Sequence, residues 1–305
     1  MRFPACAGRY GQKTISLGKG SATMSEPKTH TLEAPGAVLH YDVRDNGGAG
    51  HRVLLLIGAP MGASGFAALA EQFADRTVVT YDPRGTERSQ RTDGEPPGSV
   101  PDEHAEDLRR LIQALDDGPA DVFGSSGGAV NALALVARHP RLIGTLMAHE
   151  PPAAQELPDR EAVLAACAEI RETYQRSGFG PAMATFIALV SHAGPIPPGF
   201  PGQPAPDPAA FGLPAQDDGS RDDPLLGLHM TACAGCQLDF HALRAAPTRI
   251  LLGVGTQSGQ MLAGRAAVAV AERLGTTPVT FPGGHDGFLS DPGAFAAVLR
   301  TVLDG

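Results

Sequence analysis

The sequence predicts an α/β fold built on a doubly wound, mostly parallel sheet. Short apolar runs alternate with helix-like stretches in the first half of the chain and again near its end. Such alternation implies right-handed crossovers between parallel strands. From about residue 151 to 246 only helical stretches and a loop are predicted, and a helical insert between strands of one sheet is typical of a lid. The third observation is a serine among glycines at a strand-to-helix turn, in residues 124–128 (GSSGG).

The pattern of apolar residues defines the elements in chain order. Continuous apolar runs, such as residues 52–57, are typical of strands buried on both faces. Helices are indicated by apolar residues at three- and four-residue spacing, as in residues 101–115. The predicted strands are 38–43, 52–57, 76–81, 120–123, 142–148, 249–254 and 278–281. The predicted helices are 64–73, 101–115, 129–139, 159–176, 181–192, 225–244, 260–274 and 293–303, and the Pro- and Gly-rich residues 194–224 predict an exposed, mobile loop.

These elements divide the chain into a disordered N-terminal tail (1–28), the first part of the core (29–150), a helical lid (151–246) and the second part of the core (247–305). The tail has basic residues among Gly and Ser but lacks the apolar stretch of a secretory signal. Organised sequence begins only near Thr29, so Met24 is a candidate for the biological start, a point that the sequence leaves open. We expect the protein to be cytoplasmic.

Charge and hydropathy exclude several classes of function. The formal net charge is −9, from 24 basic and 33 acidic residues, and no basic stripe is visible. This argues against unassisted binding to nucleic acid or anionic lipid. No apolar run approaches the roughly 18–20 residues that span a bilayer. We therefore expect a small-molecule substrate, with neither nucleic acid nor membrane as a partner, and the sequence leaves the oligomeric state open.

The turn at 124–128 has the features of a nucleophile elbow. The strand-like residues 120–123 precede it and a helical stretch follows. A tight turn of this kind holds the hydroxyl of Ser126 clear of the sheet, near the positive end of the following helix. Larger residues at Gly124 and Gly128 would collide. Ser125 fits the pattern worse, because Phe123 would then occupy a small-residue position.

The cysteines offer a second, weaker motif. Four cysteines (Cys6, Cys167, Cys233 and Cys236) are too few for a disulfide scaffold in a chain of 305 residues. Cys233 and Cys236 form a C-x-x-C, with His229 one helical turn earlier, which is compatible with a metal or redox site. With no second cysteine pair and no thioredoxin-like strand before the motif, three residues on one helix face is the favoured interpretation. We expect no cofactor and no metal.

Two further segments reveal a family resemblance. Residues 81–89 (YDPRGTERS) look like the D-x-R-G-x-G-x-S stretch that follows the fourth strand in many α/β-hydrolases, and residues 283–288 (GGHDGF) follow the last predicted strand. With the elbow, these motifs resemble the α/β-hydrolase superfamily over about residues 30–305. The resemblance implies a serine-nucleophile member with a helical cap inserted after the sixth strand, here residues 142–148.

The resemblance also implies which residues carry the chemistry. His285 lies in a glycine-rich loop that reaches the elbow in this fold, so it is the expected base for Ser126. The oxyanion hole needs backbone N–H donors. One is expected from Gly127, and alignment with the family gives the Ala59 N–H as the other; Pro60 cannot donate. The loop begins Ile-Gly here, where family members commonly have His-Gly.

The third member of the predicted triad departs from the family pattern. A G-x-x-D usually follows the seventh strand, but residues 255–258 read GTQS and hold no carboxylate. Some members take the acid from the end of the sixth strand, where this chain has Glu150. A buried carboxylate there could orient His285 and stabilise its imidazolium. A neutral partner such as Ser258 or Gln257, or no orienting group, is the alternative.

Three other charged residues near these motifs are expected to lie outside the triad. Asp82 and Arg84 could be an acid and an anion clamp, but in this family such residues shape a turn near the site. Asp286 is adjacent to His285, so its side chain should point elsewhere.

Several functions share this expected site. The first is a serine hydrolase that cleaves esters, lactones, thioesters or some amides of a small to medium apolar substrate through an acyl-enzyme. A serine at the elbow disfavours epoxide hydrolysis and dehalogenation, which use a carboxylate nucleophile in this fold. Acyl transfer, perhydrolysis or a lyase step could use the same residues. A ligand-binding protein with little turnover is the remaining alternative.

Overall fold

A computed structural model describes residues 25–47, 50–94, 100–115, 118–202 and 204–305. Cys6, Met24 and most of the predicted tail lie outside the described residues. Within them, a nine-stranded sheet has the spatial order β1-β2-β4-β3-β6-β7-β8-β9, with β5 paired to β2. The strands are β1 (Lys28–Ala34), β2 (Ala37–Arg44), β3 (Leu54–Ile57), β4 (Val78–Tyr81), β5 (Gln90–Arg91), β6 (Ala120–Ser125), β7 (Ile143–His149), β8 (Arg249–Gly255) and β9 (Val279–Phe281).

The sheet is mostly parallel, as the sequence predicts. Strand β2 pairs antiparallel with β1, β4 and β5, whereas the neighbours from β4 to β9 all pair in parallel. Strands β1 and β5 are absent from the sequence-based prediction. Both lie at the margin of the sheet and much of β1 is exposed, so neither carries a strong apolar pattern.

Helices cover both faces of the sheet, so the doubly wound prediction is confirmed. They are α1 (Ala67–Ala70), α2 (Val100–Leu115), α3 (Gly127–Arg138), α4 (Arg160–Ser177), α5 (Phe179–Ser191), α6 (Met230–Ala234), α7 (Phe240–Ala245), α8 (Leu262–Leu274), α9 (Gly287–Ser290) and α10 (Pro292–Asp304). Successive residues of β3 point to opposite faces. Leu55 packs with α2, α3 and α8, whereas Leu56 packs with the residues around α1 and α10. Burial on both faces explains the continuous apolar run of this strand.

A helical cap lies between β7 and β8. Helices α4, α5 and α6 form an apolar cluster of their own, to which α8 of the core contributes Leu262 and Ala266. The Pro- and Gly-rich segment within the cap is largely exposed and contains a short 3-10 turn, Pro208–Phe211.

The continuous helix predicted for residues 225–244 is wrong. A π-helical segment, Leu225–His229, leads into α6, which ends before Gly235. Helix α7 then starts anew, because the Asp239 side chain accepts a hydrogen bond of 2.9 Å from the Ala242 N–H. Asp is a strong N-cap residue, and this local hydrogen bond defines a new helix start. Across the described residues, none of the helices is long and apolar enough to cross a membrane.

Candidate active site

The GSSGG segment forms a tight turn between β6 and α3. Ser126 stands between the two elements with φ 54° and ψ −125°, which is left-handed backbone that a residue other than glycine rarely adopts. A Cβ added at Gly128 would lie 2.5 Å from the Ile57 carbonyl oxygen, and one added at Gly124 would lie 3.0 Å from the Gly128 oxygen. The predicted need for small residues at these positions is therefore confirmed, and it follows from the close approach of β3, β6 and α3.

Ser126 and His285 line one cavity of about 380 Å³ between the sheet and the cap. Ser126 is partly exposed, and the His285 side chain retains 42 % of its accessible surface. No hydrogen bond joins the two side chains in the described parts of the chain. Such contacts often shorten only when substrate is bound. The structure thus brings the two residues to the same cavity without a preformed bond.

Glu150 lies within hydrogen-bonding distance of His285. Its Oε2 is 2.7 Å from His285 Nδ1, although the two residues are far apart in sequence. Glu150 directly follows β7, is fully buried, and has a φ of 48°. Strained backbone of this kind costs on the order of 1–3 kcal/mol and clusters at functional sites. Ser126 and Glu150 share this rare conformation with Glu87, alone among the described residues other than glycine.

The partners of Glu150 keep its carboxylate charged despite its burial. Burial alone would raise the pKa of Glu150, but hydrogen bonds from His285 and Ser258 oppose it and hold the pKa below its ordinary value. The Gly255 N–H also donates to Oε1 over 2.8 Å. The charged carboxylate is thus held by three donors, two from the end of β8 and the turn just after it and one from the loop after β9.

Ser258 bonds to the carboxylate rather than to the imidazole. It occupies the position where the family usually has Asp, and its hydroxyl donates to Glu150 Oε1. Gln257 lines the cavity, and its N–H donates to the Gly283 carbonyl. The bond to His285 Nδ1 is made by Glu150, and among the described contacts neither Ser258 nor Gln257 hydrogen-bonds the imidazole.

The two predicted oxyanion donors lie side by side. Ala59 and Gly127 both line the cavity, and a Cβ added at Gly127 would lie 2.6 Å from the Ala59 carbonyl oxygen. Neither N–H donates to another group within the part of the chain that is described. Ala59 and Gly127 remain the predicted oxyanion donors, since a backbone N–H without an acceptor in the protein can stabilise negative charge on a substrate oxygen.

Asp82 and Arg84 lie where a structural role predicts. The Asp82 carboxylate is buried and accepts hydrogen bonds from the Ala63 N–H at 2.8 Å and from Arg88 at 2.5 Å. Arg84 forms a bidentate ion pair with Asp107 of α2. Asp286 is exposed, and its carboxylate makes no hydrogen bond to His285 among the described contacts. None of the three residues completes the Ser126 and His285 pair.

One cysteine of the C-x-x-C motif forms part of the cavity wall. Cys233 and His229 line the cavity, and Cys233 Sγ would lie 3.2 Å from a Cβ at Gly127. Burial raises the pKa of the Cys233 thiol to about 12 and that of Cys236 to about 11. Over the described ranges, no group of three His, Cys, Asp or Glu side chains could hold a metal ion. Protonated, buried thiols do not favour redox chemistry.

His149 is a buried residue near the site that the sequence analysis did not single out. It is the last residue of β7, and both of its ring nitrogens are enclosed without a partner among the described residues. Its ring centroid is 6.2 Å from that of His285 and 5.2 Å from that of Phe295. Burial lowers the pKa of His149 to about 4, so the ring is neutral near pH 7. The only sequence signal was its place immediately before Glu150.

Comparison with known proteins agrees with this fold. A family model described as the alpha/beta hydrolase fold matches residues 51–203. The "Uncharacterized hydrolase YraK" of Bacillus subtilis (strain 168) is 31% identical over 286 residues, which cover 90% of this chain and 95% of that protein. The chain therefore belongs to the α/β-hydrolase family, and it is a hydrolase of that fold.

Solved structures resemble most of the chain. An enol-lactonase from Burkholderia xenovorans LB400 matches with a TM-score of 0.63 at 17% identity, covering 90% of this chain and 100% of that one. A thermophilic esterase from Thermogutta terrifontis matches with a TM-score of 0.62 at 20% identity, covering 92% and 98%. At this identity the likeness shows the fold alone.

Proposed function

We propose that this protein is a serine hydrolase that cleaves an ester-like bond (a carboxylic ester, a lactone or a thioester) in a small to medium apolar substrate. The observation that carries the proposal is the 2.7 Å contact between Glu150 and His285 beside the cavity that Ser126 lines. A buried carboxylate, an imidazole and a serine at an elbow are the components of a nucleophilic triad. The esterase and the enol-lactonase among the structural relatives add support for this class of bond.

The mechanism follows from the roles of the atoms. His285 Nδ1–H donates to Glu150, which leaves Nε2 as the acceptor of the Ser126 hydroxyl proton. The Ser126 oxygen then forms a bond to the carbonyl carbon, and the Ala59 and Gly127 N–H groups stabilise the oxyanion. When the bond from the acyl carbon to the leaving oxygen (or sulfur, in a thioester) breaks, His285 transfers its proton to that atom. Water, deprotonated by His285, then attacks the acyl carbon; the bond from this carbon to the Ser126 oxygen breaks, and His285 returns the proton to Ser126.

The size and lining of the cavity support an apolar substrate. Its volume of about 380 Å³ lies at the small end of the range for ligand pockets. Apolar residues of the cap and of α8, such as Phe186, Leu225 and Leu262, line much of it. An apolar lining of this kind favours burial of alkyl or aromatic groups on either side of the scissile bond.

A fluorophosphonate probe and a pair of serine variants test the proposal. Ser126→Ala should abolish labelling and lower kcat for short-chain aryl esters by three to six decades, roughly the loss seen on triad removal. Ser125→Ala makes the same chemical change one residue earlier and should retain both activities. Labelling that survives in Ser126→Ala, or an unchanged ester rate, would exclude this mechanism. Competing alcohols or peroxide in the assay distinguish hydrolysis from acyl transfer and perhydrolysis.

A further inference from the structure

The cap side of the cavity holds a polar side chain that the proposed chemistry does not use. His229 lines the same cavity as Ser126 and His285 yet is only 3% exposed. Its Nδ1 is enclosed without a hydrogen-bond partner in the described residues. Buried polar atoms are almost always paired. Neither ring nitrogen of His229 makes a hydrogen bond within the described residues, so Nε2, the nitrogen that is not enclosed, is free to bond a ligand in the cavity.

The local backbone presents His229 in an unusual way. It is the last residue of the π-helical segment Leu225–His229, and such segments are frequent at functional sites. The segment continues directly into α6, whose Met230 and Cys233 line the same cavity. Behind the His229 ring lies His104 of α2, with its ring centroid 5.1 Å away. A cap residue is thus held against the core beside the cavity.

The charge state of His229 limits what it can recognise. Burial, with Arg91 as a smaller contributor, lowers the pKa of His229 to about 4, so its imidazole is neutral near pH 7. A neutral imidazole offers both an N–H donor and a nitrogen acceptor. Among the described cavity-lining residues there is neither Lys nor Arg that could balance an anion. A neutral ring in such a cavity suits an uncharged oxygen rather than a carboxylate.

We propose that His229 is a specificity-determining residue that hydrogen-bonds an uncharged oxygen, such as a ketone, ether or hydroxyl, placed away from the scissile ester of the substrate. This inference rests on the proposed ester hydrolysis at Ser126. The substrate class becomes apolar esters that carry one additional neutral hydrogen-bonding oxygen. In a cavity with few polar groups, one such contact sets the orientation of the ligand.

Two pairs of matched esters test the inference. Para-nitrophenyl pentanoate and para-nitrophenyl levulinate differ by a ketone on the acyl side. Butyl butanoate and methoxyethyl butanoate differ by an ether on the alcohol side. The ratio of kcat/KM within each pair is measured for the wild-type protein and for His229→Phe, so that intrinsic reactivity cancels. In at least one pair, the variant should lose about tenfold to a hundredfold of the preference for the oxygen-bearing ester.

Further variants separate recognition from packing. His229→Gln retains hydrogen-bonding groups and should recover part of the lost preference, and His229→Leu replaces His229→Phe if that variant does not fold. His104→Phe keeps an aromatic ring behind His229 and should leave both ratios unchanged. Equal ratios in the wild-type protein and His229→Phe for both pairs would overturn the inference while ester hydrolysis itself stands. Failure of the wild-type protein to hydrolyse any of the four esters would count against the proposed function instead.

Discussion

The cavity has a wall formed by the core (the core wall, with Ser126, Glu150, Ser258 and His285) and a wall formed by the cap (the cap wall, with His229 and Cys233 among others). The two walls differ in whether their polar groups have hydrogen-bond partners within the protein. On the core wall, the buried Glu150 carboxylate has His285, Ser258 and the Gly255 N–H as partners. On the cap wall, His229 has an enclosed nitrogen with no partner in the described structure, and Cys233 holds a thiol whose pKa is raised by burial.

The difference separates two tasks. A preorganised carboxylate and imidazole need fixed partners, because catalysis depends on holding the charged groups before substrate arrives. A wall that recognises substrate needs groups whose partners come from the ligand. We therefore expect changes to the core wall to affect the rate for every substrate, and changes to the cap wall to affect the choice among substrates.

After the loss of the nucleophile itself, the largest effect is expected at Glu150. Glu150→Gln removes the charge that stabilises the imidazolium and can reverse the tautomer of His285, so kcat should fall by about three to four decades. Steady-state kinetics on an aryl ester measure the change. Asp286→Asn, an equivalent change next to the imidazole, is the matched control and should lower the rate far less. A decrease in kcat of less than about tenfold in Glu150→Gln would mean that catalysis does not depend on this carboxylate.

A pH dependence of stability is expected from His149. Its pKa is about 4 in the folded protein against 6.5 for an unperturbed side chain. Between these values the unfolded chain binds more protons, so stability falls as the pH falls. The contribution of His149 from pH 7.5 to pH 5 is on the order of 2 kcal/mol.

Urea unfolding at the two pH values measures this contribution. His149→Phe, which suits the surrounding aromatic cluster, should lose less stability on acidification than the wild-type protein. His241→Phe removes an exposed histidine and serves as the control. If acidification destabilises His149→Phe and the wild-type protein equally, the neutral buried ring is not a source of the acid sensitivity.

A smaller effect is expected at Ser258. The hydrogen bond from Ser258 lowers the pKa of the buried Glu150 carboxylate, and Ser258→Ala removes this donor. We expect kcat/KM to fall by about tenfold, with a larger loss at acidic pH, because the carboxylate becomes easier to protonate. Rates measured across pH give both quantities. Ser258→Asp, which restores the residue type common in the family, should not exceed wild-type activity while Glu150 is present.

The smallest effect is expected at the thiols of the cap wall. Burial raises the pKa of Cys167 and of Cys233 to about 12, so almost no reactive thiolate exists at neutral pH. Brief treatment with iodoacetamide at pH 7 should leave ester hydrolysis within about twofold of the untreated rate. Rapid inactivation that is absent in Cys233→Ala would show that the Cys233 thiol is reactive, and a redox role for the C-x-x-C motif would then have to be considered.

Elements with a strong local pattern could be predicted from the sequence, whereas features that depend on long-range contacts could not. The apolar run of β3 and the spacing in α2 predict elements from local pattern alone, because burial and periodicity are written in neighbouring residues. The sequence pattern does not predict strand β1 or the interruption between α6 and α7. An exposed edge strand carries little apolar signal, and Gly235 with the Asp239 cap outweighs an otherwise helical composition.

The sequence by itself determined the α/β-hydrolase fold, and it supplied Ser126, His285 and Glu150 as candidates. The elbow around Ser126 has a local signature, whereas His285 and Glu150 became candidates through the resemblance to the α/β-hydrolase superfamily. Only the tertiary structure decided that Glu150 is the partner of the imidazole and that Ser258 supports it, since β7 and β8 are neighbours in the sheet but distant in the chain. The environment of His229 was likewise decided by the tertiary structure, because its Nδ1 is enclosed without a partner only where the cap packs against the core.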